Sequence, residues 1–237
     1  MDETTTSLPR ETRVRVRPMT HADVADIVSM HVAHFPRNVA VRFGRRFVAA
    51  YVRLFIDSPA AIGRTATDGD VVVGYLLGVT STADHRGFSK RRVARLSIAA
   101  LPRALPNLVF LLRVVARRLH VKRSGGESAP TLEPPVAVLS HLAVLARTRR
   151  TGIGADLVRS FEEAAVSRGA RTAVLATVDG EDGAGDFYTR QGWRPFVRGT
   201  TVDQRDIRTF RRTFSGSGGT TSTHVRRSAS TEGADDR

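Results

Sequence analysis

The stretch from residue 136 to residue 168 constrains this chain more than any other. "VAVLSHLAVLA" is an apolar run bounded by turn residues, the mark of a buried strand. A helical pattern opens at Gly152, with Ile153, Leu157, Phe161 and Ala164 or Ala165 at core-facing spacing. Between them stands "RTRRTGIGA", which places Arg149 and Arg150 before Gly152 and Gly154. Amides at a helix start lack intrahelical partners and carry partial positive charge. Glycines bare those amides and let an anion come close. The junction therefore fits a phosphate or pyrophosphate, or else a plain loop glycine and helix-start glycine with solvated arginines. It is not a P-loop, since no Gly-Lys-Ser/Thr ending is present. Nor is it a dinucleotide fingerprint, because Leu157 stands where Gly or Ala is required.

Around this unit the patterns alternate. "TRVRVRPM" (12 to 19) predicts a strand, and Thr20 a cap for a helix carrying Val24, Ile27, Met30 and Val32. Pro36 stops that helix. Asn38 starts another that runs through "VAVRFGRRFVAAYVRLFID" and ends before Pro59. "AIGRTATD" and "DVVVGYLLGVTS" predict a hairpin turning at "DGD". Downstream come a strand "RTAVLATV", a short helix "GAGDFYTRQ" ended by Gly192, and a closing hairpin of "WRPFVRG" and "IRTFRRTF". The order predicts a mixed α/β sheet with helices on both faces. Residues 1 to 12 read as a flexible N-terminus, 13 to 214 as the domain, and 215 to 237 as a disordered tail.

Charge is unevenly distributed. The formal net charge is +14, and eleven Lys or Arg residues with no acid lie between Arg86 and Arg123. This basic region, part of an expected helical insertion at about 84 to 132, has three readings. It is a lid over a ligand site that selects a phosphate-bearing substrate, an amphipathic patch for peripheral contact with anionic membrane, or solvated cover on the sheet. It lacks interleaved aromatics, which argues against single-stranded nucleic acid. The chain has no cysteine, so a thiol nucleophile and a cysteine metal site are excluded, and no metal is expected. The acidic, polar start is no signal peptide, and Pro102, Arg103, Pro106 and Arg113 interrupt the longest apolar region. These features predict a cytoplasmic protein.

"LAVLARTRRTGIGADL" (142 to 157) resembles the acetyl-CoA-binding motif of the GNAT superfamily, the GCN5-related N-acetyltransferases. There a strand ending in Leu-x-Val leads through a short loop to Arg/Gln-x-x-Gly-x-Gly/Ala at a helix start. Here these are Leu142, Val144, Arg149, Gly152 and Gly154. The family's second feature is similar to "FYTRQGW", with Phe187, Tyr188, Gly192 and Trp193. The detailed resemblance covers about 136 to 194. Two positions depart from it: Glu181 replaces an asparagine often found seven residues before the tyrosine, and Thr148 replaces the usual loop aromatic.

The resemblance implies a mostly antiparallel sheet splayed between two central strands. It implies that pantetheine pairs with the backbone at Leu142, Ala143 and Val144. The pyrophosphate then meets the amides of Arg149, Arg150, Thr151, Gly152, Ile153, Gly154 and Ala155, with the two arginines screening charge. Tyr188 matches the family's general acid. His141 is a candidate base because histidine titrates near neutrality, and alternation would send His141 and Ser140 to opposite faces. His31 and His34 read as surface residues, with the acceptor side as the alternative. The implied function is direct acetyl transfer from acetyl-CoA to a primary amine, a small molecule or amino sugar being favoured over protein N-termini or lysines. The contrasting reading is a non-catalytic acyl-CoA-binding or nucleic-acid-binding module using 86 to 123.

Overall fold

A computed structural model of the chain describes residues 14–89, 135–180, 183–201 and 204–214. Seven strands form one sheet: β1 (Arg15–Pro18), β2 (Ala61–Asp68), β3 (Val71–Val79), β4 (Val136–Val144), β5 (Thr172–Val178), β6 (Arg194–Thr200) and β7 (Asp206–Thr213). Their spatial order is β1-β2-β3-β4-β5-β7-β6. Only β4 and β5 run parallel; the other pairs are antiparallel. The helices are α1 (Val24–His34), α2 (Val39–Arg42), α3 (Arg45–Asp57), α4 (Ile153–Ser167) and α5 (Gly185–Arg190). Residues 82–89 are also helical. The expected N-terminal segment, most of the basic insertion and the C-terminal tail lie outside the described residues.

Apolar periodicity explains the layering. The strands present one core on each face of the sheet. Leu157 and Phe161 of α4 meet Ile62, Val73, Leu76, Leu139 and Phe210 on one side. On the other, Ile27 of α1 and Val48, Val52 and Phe55 of α3 meet Tyr75 and Leu77. Both cores are contiguous apolar packing, the main favourable contribution to folding. The start of α1 is fixed by Asp23, whose carboxylate accepts two bonds from Arg17, at 2.8 and 2.6 Å, and one from the Thr20 amide at 2.8 Å. Burial pulls the Asp23 pKa upward, but these bonds outweigh it and hold it below the usual carboxylate value.

Two local expectations change. The single helix read from Asn38 to Asp57 is two, because Gly44 adopts φ +90°, a left-handed conformation that no helix interior accommodates. Val39 to Arg42 therefore form a separate short turn. Its cap is Asn38, whose Oδ1 accepts the Ala40 amide at 2.8 Å. The second change is His31, which is fully buried rather than at the surface. It lies four residues after Ile27 and seven after Val24, on the stripe that α1 turns to the core. No helix among the described residues is long and apolar enough to cross a membrane.

Candidate active site

The parallel pairing of β4 with β5 covers Val136 to Leu139 against Thr172 to Leu175 and stops there. Beyond that point β4 stays paired with β3 up to Val144, while β5 stays paired with β7 up to Val178. The two central strands thus part, and a cavity of about 840 Å³ opens around the gap. Its walls include Ser140, His141 and Leu142 of β4, Ala176 and Thr177 of β5, Tyr188 of α5, Arg149, and the segment from His34 to Asn38.

Backbone polarity along the open edge follows from strand geometry. The Leu145 amide donates to the Val73 carbonyl at 2.9 Å, toward β3. Successive residues of a strand alternate their hydrogen-bonding direction. Ala143 therefore faces β3 as well, and Leu142 and Val144 turn their N–H and C=O groups toward the gap. Of the three residues expected to pair with pantetheine, Ala143 contributes no edge group. The Val144 carbonyl accepts a bond from Arg149 Nε at 3.3 Å.

A register shift falls where Gly78 and Leu77 face Leu139 and His141, which leaves Ser140 as an extra residue on β4. Such a bulge re-aims the side chains that follow it. Ser140 and His141 consequently both line the cavity, contrary to the simple alternation expected for them.

The loop before α4 is built to leave donors free. The first bond into the helix runs from the Asp156 amide to the Gly152 carbonyl at 3.0 Å. Among the described residues, no hydrogen bond is donated by the amides of residues 150 to 155. The Arg149 amide is different: it donates to Ala146 at 3.3 Å, so the free run begins one residue later than expected. Gly152 caps the helix at φ +90°, and Arg150 also has positive φ, at 65°. Gly154 has another constraint. A β-carbon there would lie 3.3 Å from the ring of Phe187. The helix start, the bared amides and the close packing of α5 fit a pyrophosphate, and the open β4 edge fits an extended arm.

Tyr188 is 6% exposed and its ring packs against Phe187, Trp193 and Phe210. Burial raises its pKa well above the ordinary phenol value, so the hydroxyl stays protonated at neutral pH. The Ala184 amide donates to Thr177 Oγ1 at 3.1 Å, which fastens the start of α5 to β5 beside the gap. At the other end of α5, the Trp193 indole donates to Glu162 at 2.8 Å, and Arg212 pairs with the same carboxylate at 3.1 Å.

His141 sits in a cluster that the sequence did not show as one. Its ring lies 4.8 Å from that of His31, 5.1 Å from that of Phe35 and 5.8 Å from that of Tyr51. Its Nε2 is 3.0 Å from Asn38 Nδ2. His31 Nδ1 is 2.8 Å from the Tyr75 hydroxyl. Burial and then the neighbouring His31 push the His141 pKa down to about 3; burial takes His31 to about 4, against a smaller upward pull from Asn38. The near-neutral titration expected of His141 is therefore not what its surroundings give. Asn38 had signalled only a helix cap, and nothing local marked its partner 103 residues away. Glu181 lies outside the described residues. Among those described, no group of three or more His, Asp or Glu could hold a metal ion.

A splayed sheet with a glycine-opened helix across the gap defines an acyl-CoA-type transferase fold. The family model described as "Acetyltransferase (GNAT) family" matches residues 42–193, and the chain belongs to that family. The matched residues form a GNAT acetyltransferase domain. Over 79 residues it is 40% identical to "Acetyl transferase GW6a" of Oryza sativa subsp. japonica. That match covers 33% of this chain, and the chain spans only 18% of the length of that curated relative. Among solved structures, Ard1 from Thermoplasma volcanium superposes with a TM-score of 0.54 at 15% identity, over 86% of this chain and 99% of that one. Aminoglycoside 6'-N-acetyltransferase complexed with coenzyme A gives 0.55 at 14%, over 84% and 96%. Arabidopsis thaliana NAA60 in complex with a bisubstrate analogue gives 0.54 at 14%, over 86% and 100%. At these identities the likeness is one of fold.

Proposed function

We propose that this protein is an acetyl-CoA-dependent N-acetyltransferase that passes acetyl directly to the primary amine of a small molecule, an amino sugar among the candidates. One observation carries the reading: the gap between β4 and β5 brings the open edge at Leu142, together with Arg149 and Tyr188, to one cavity. A cavity of about 840 Å³ is within the usual range for small-molecule sites. The segment from His34 to Asn38 forms the acceptor-side wall. Arg37 and Arg205 line the same cavity, which supports an acceptor carrying a phosphate or carboxylate.

When bound, acetyl-CoA supplies a thioester as acyl donor. The residues of the chain do the rest. The amides of residues 150 to 155 hold the pyrophosphate, helped by the Arg150 side chain, and Leu142 and Val144 align the arm as an added strand. The acceptor amine must attack as the free base. Its nitrogen bonds to the acyl carbon as the carbon–sulfur bond breaks. The Tyr188 hydroxyl hydrogen-bonds to the departing sulfur and passes it a proton, and the proton that the nitrogen releases returns through solvent to the tyrosine oxygen. His141, with its pKa near 3, is a poor base for that last step. The role read from the sequence does not suit this environment.

The test is a panel of neutral, phosphorylated and carboxylated primary amines incubated with acetyl-CoA, read by mass spectrometry and thiol release. Acetylation confined to amine-bearing peptides would replace this acceptor class with a protein one.

A further inference from the structure

Asn38 makes two bonds with the two ends of one amide. Its Oδ1 accepts the Ala40 N–H at 2.8 Å, and its Nδ2 lies 3.0 Å from His141 Nε2. The orientation of a side-chain amide is normally fixed by its partners, and here the helix cap fixes it. Rotating the amide would set its NH2 against the Ala40 N–H, donor to donor. The group facing His141 is therefore a donor, and Nε2 must accept with its lone pair. A neutral imidazole that accepts at Nε2 carries its proton on Nδ1. Protonating Nε2 would place two donors face to face.

We propose that Asn38 is a positioning residue for the transfer reaction: it holds His141 in the neutral Nδ1–H tautomer and ties the acceptor-side wall to β4. The inference rests on the acetyltransferase reading for its kinetic consequence, though not for the tautomer itself. His141 is then a fixed, uncharged wall of the acceptor cavity. The bond spans from the segment between α1 and α2 to the strand that carries Leu142 and Val144, so it sets where the acceptor lies relative to the acyl donor.

The groups around the ring support this. His31 faces it from α1, Tyr51 from α3 and Phe35 from the end of α1, with Tyr75 of β3 bonded to His31. Among the described residues, none of the side chains facing it is a carboxylate able to stabilise an imidazolium. His141 Nδ1 and His31 Nε2 are both buried without partners. A second proton in this cluster would be desolvated and set beside another imidazole.

Two variants separate the cap from the bond to histidine. Asn38→Ser and Asn38→Asp both retain a capping oxygen for the Ala40 amide. Serine is too short to reach His141. Aspartate presents an acceptor, which demands Nε2–H and favours the imidazolium. Ring nitrogens of histidine are read by long-range proton–nitrogen NMR on the full chain, with no ligand present. In the wild type, His141 should show Nδ1–H and no titration from pH 8 to 5. Asn38→Asp should switch the tautomer and bring its titration into that range. With an active acceptor, Asn38→Ser should raise the acceptor KM about tenfold, as expected for one lost hydrogen bond. The KM for acetyl-CoA should stay unchanged. The wild-type pH profile of kcat/KM should follow the pKa of the acceptor amine, and Asn38→Asp should add an inflection between pH 5 and 8. An Nε2–H tautomer in the wild type, titration of His141 above pH 5, or ring signals unmoved in both variants would overturn the proposal. If no amine is acetylated, the NMR result still decides it while the acetyltransferase reading fails.

Discussion

Phe187 of α5 lies directly against Gly154 at the start of α4, so close that a β-carbon on Gly154 would meet its ring at 3.3 Å. This contact joins the two sequence motifs, and it holds the bared amides beside the helix that carries Tyr188. Gly152 is held for another reason, its φ of +90°. Gly152→Val imposes backbone strain of about 1–3 kcal/mol. Gly154→Val forces Phe187 to shift. Both variants should bind coenzyme A at least tenfold more weakly in calorimetry while keeping the wild-type circular dichroism spectrum. Unchanged affinity in both would remove the loop from the cofactor site.

The absence of cysteine fixes the expected kinetic order. With no thiol to carry an acetyl group, transfer is expected to proceed within a ternary complex. Initial rates measured over a grid of acetyl-CoA and acceptor concentrations should give intersecting lines. Parallel lines, with acetyl-enzyme detected by intact mass, would point to a covalent route through another side chain.

Tyr188→Phe deletes one hydroxyl and leaves the ring contacts with Phe187, Trp193 and Phe210 in place. Single-turnover acetyl transfer should slow by about 10²-fold or more, with coenzyme A affinity changed far less. Wild-type single-turnover rates in this variant would assign the tyrosine to packing alone.

The His31 and His141 imidazoles make stability pH-dependent in a defined direction. In the folded chain His31 and His141 titrate near 4 and 3, whereas an unfolded histidine titrates near 6.5. Between those limits the unfolded state binds more protons, so stability falls as pH drops. The contribution of both groups is fully present above pH 6.5 and is lost progressively below it, toward pH 4 and then 3. Urea midpoints at pH 7.5, 6.0 and 5.0 should decline in sequence. His31→Leu should show a shallower decline over the same interval, whatever its absolute stability. Equal slopes in variant and wild type would mean that His31 does not contribute to the dependence.

Much of this molecule was legible in its sequence because the relevant information is local. The helix start at Gly152, the stripe of Ile153, Leu157 and Phe161, and the hairpin turning at Gly69 all depend on neighbours within a few residues. Binary patterning sets which face of a helix or strand is buried, and it does so without knowledge of the partner. The paired motifs around Gly154 and Tyr188 identified the family for the same reason, since each is a short string with a fixed internal geometry.

Only the tertiary structure decided the rest, and the reason is the same in each case. The bulge at Ser140 depends on how β4 registers against β3, so it sets the direction of His141 by a pairing that no local pattern records. His31 was placed in the core by the packing of α1 on the sheet. The pKa of His141 is a property of its surroundings: three aromatic or imidazole rings and one amide, drawn from α1, α3 and the segment between α1 and α2. Residue type sets a reference value, but burial moves it by whole pH units, and burial exists only once the chain has folded.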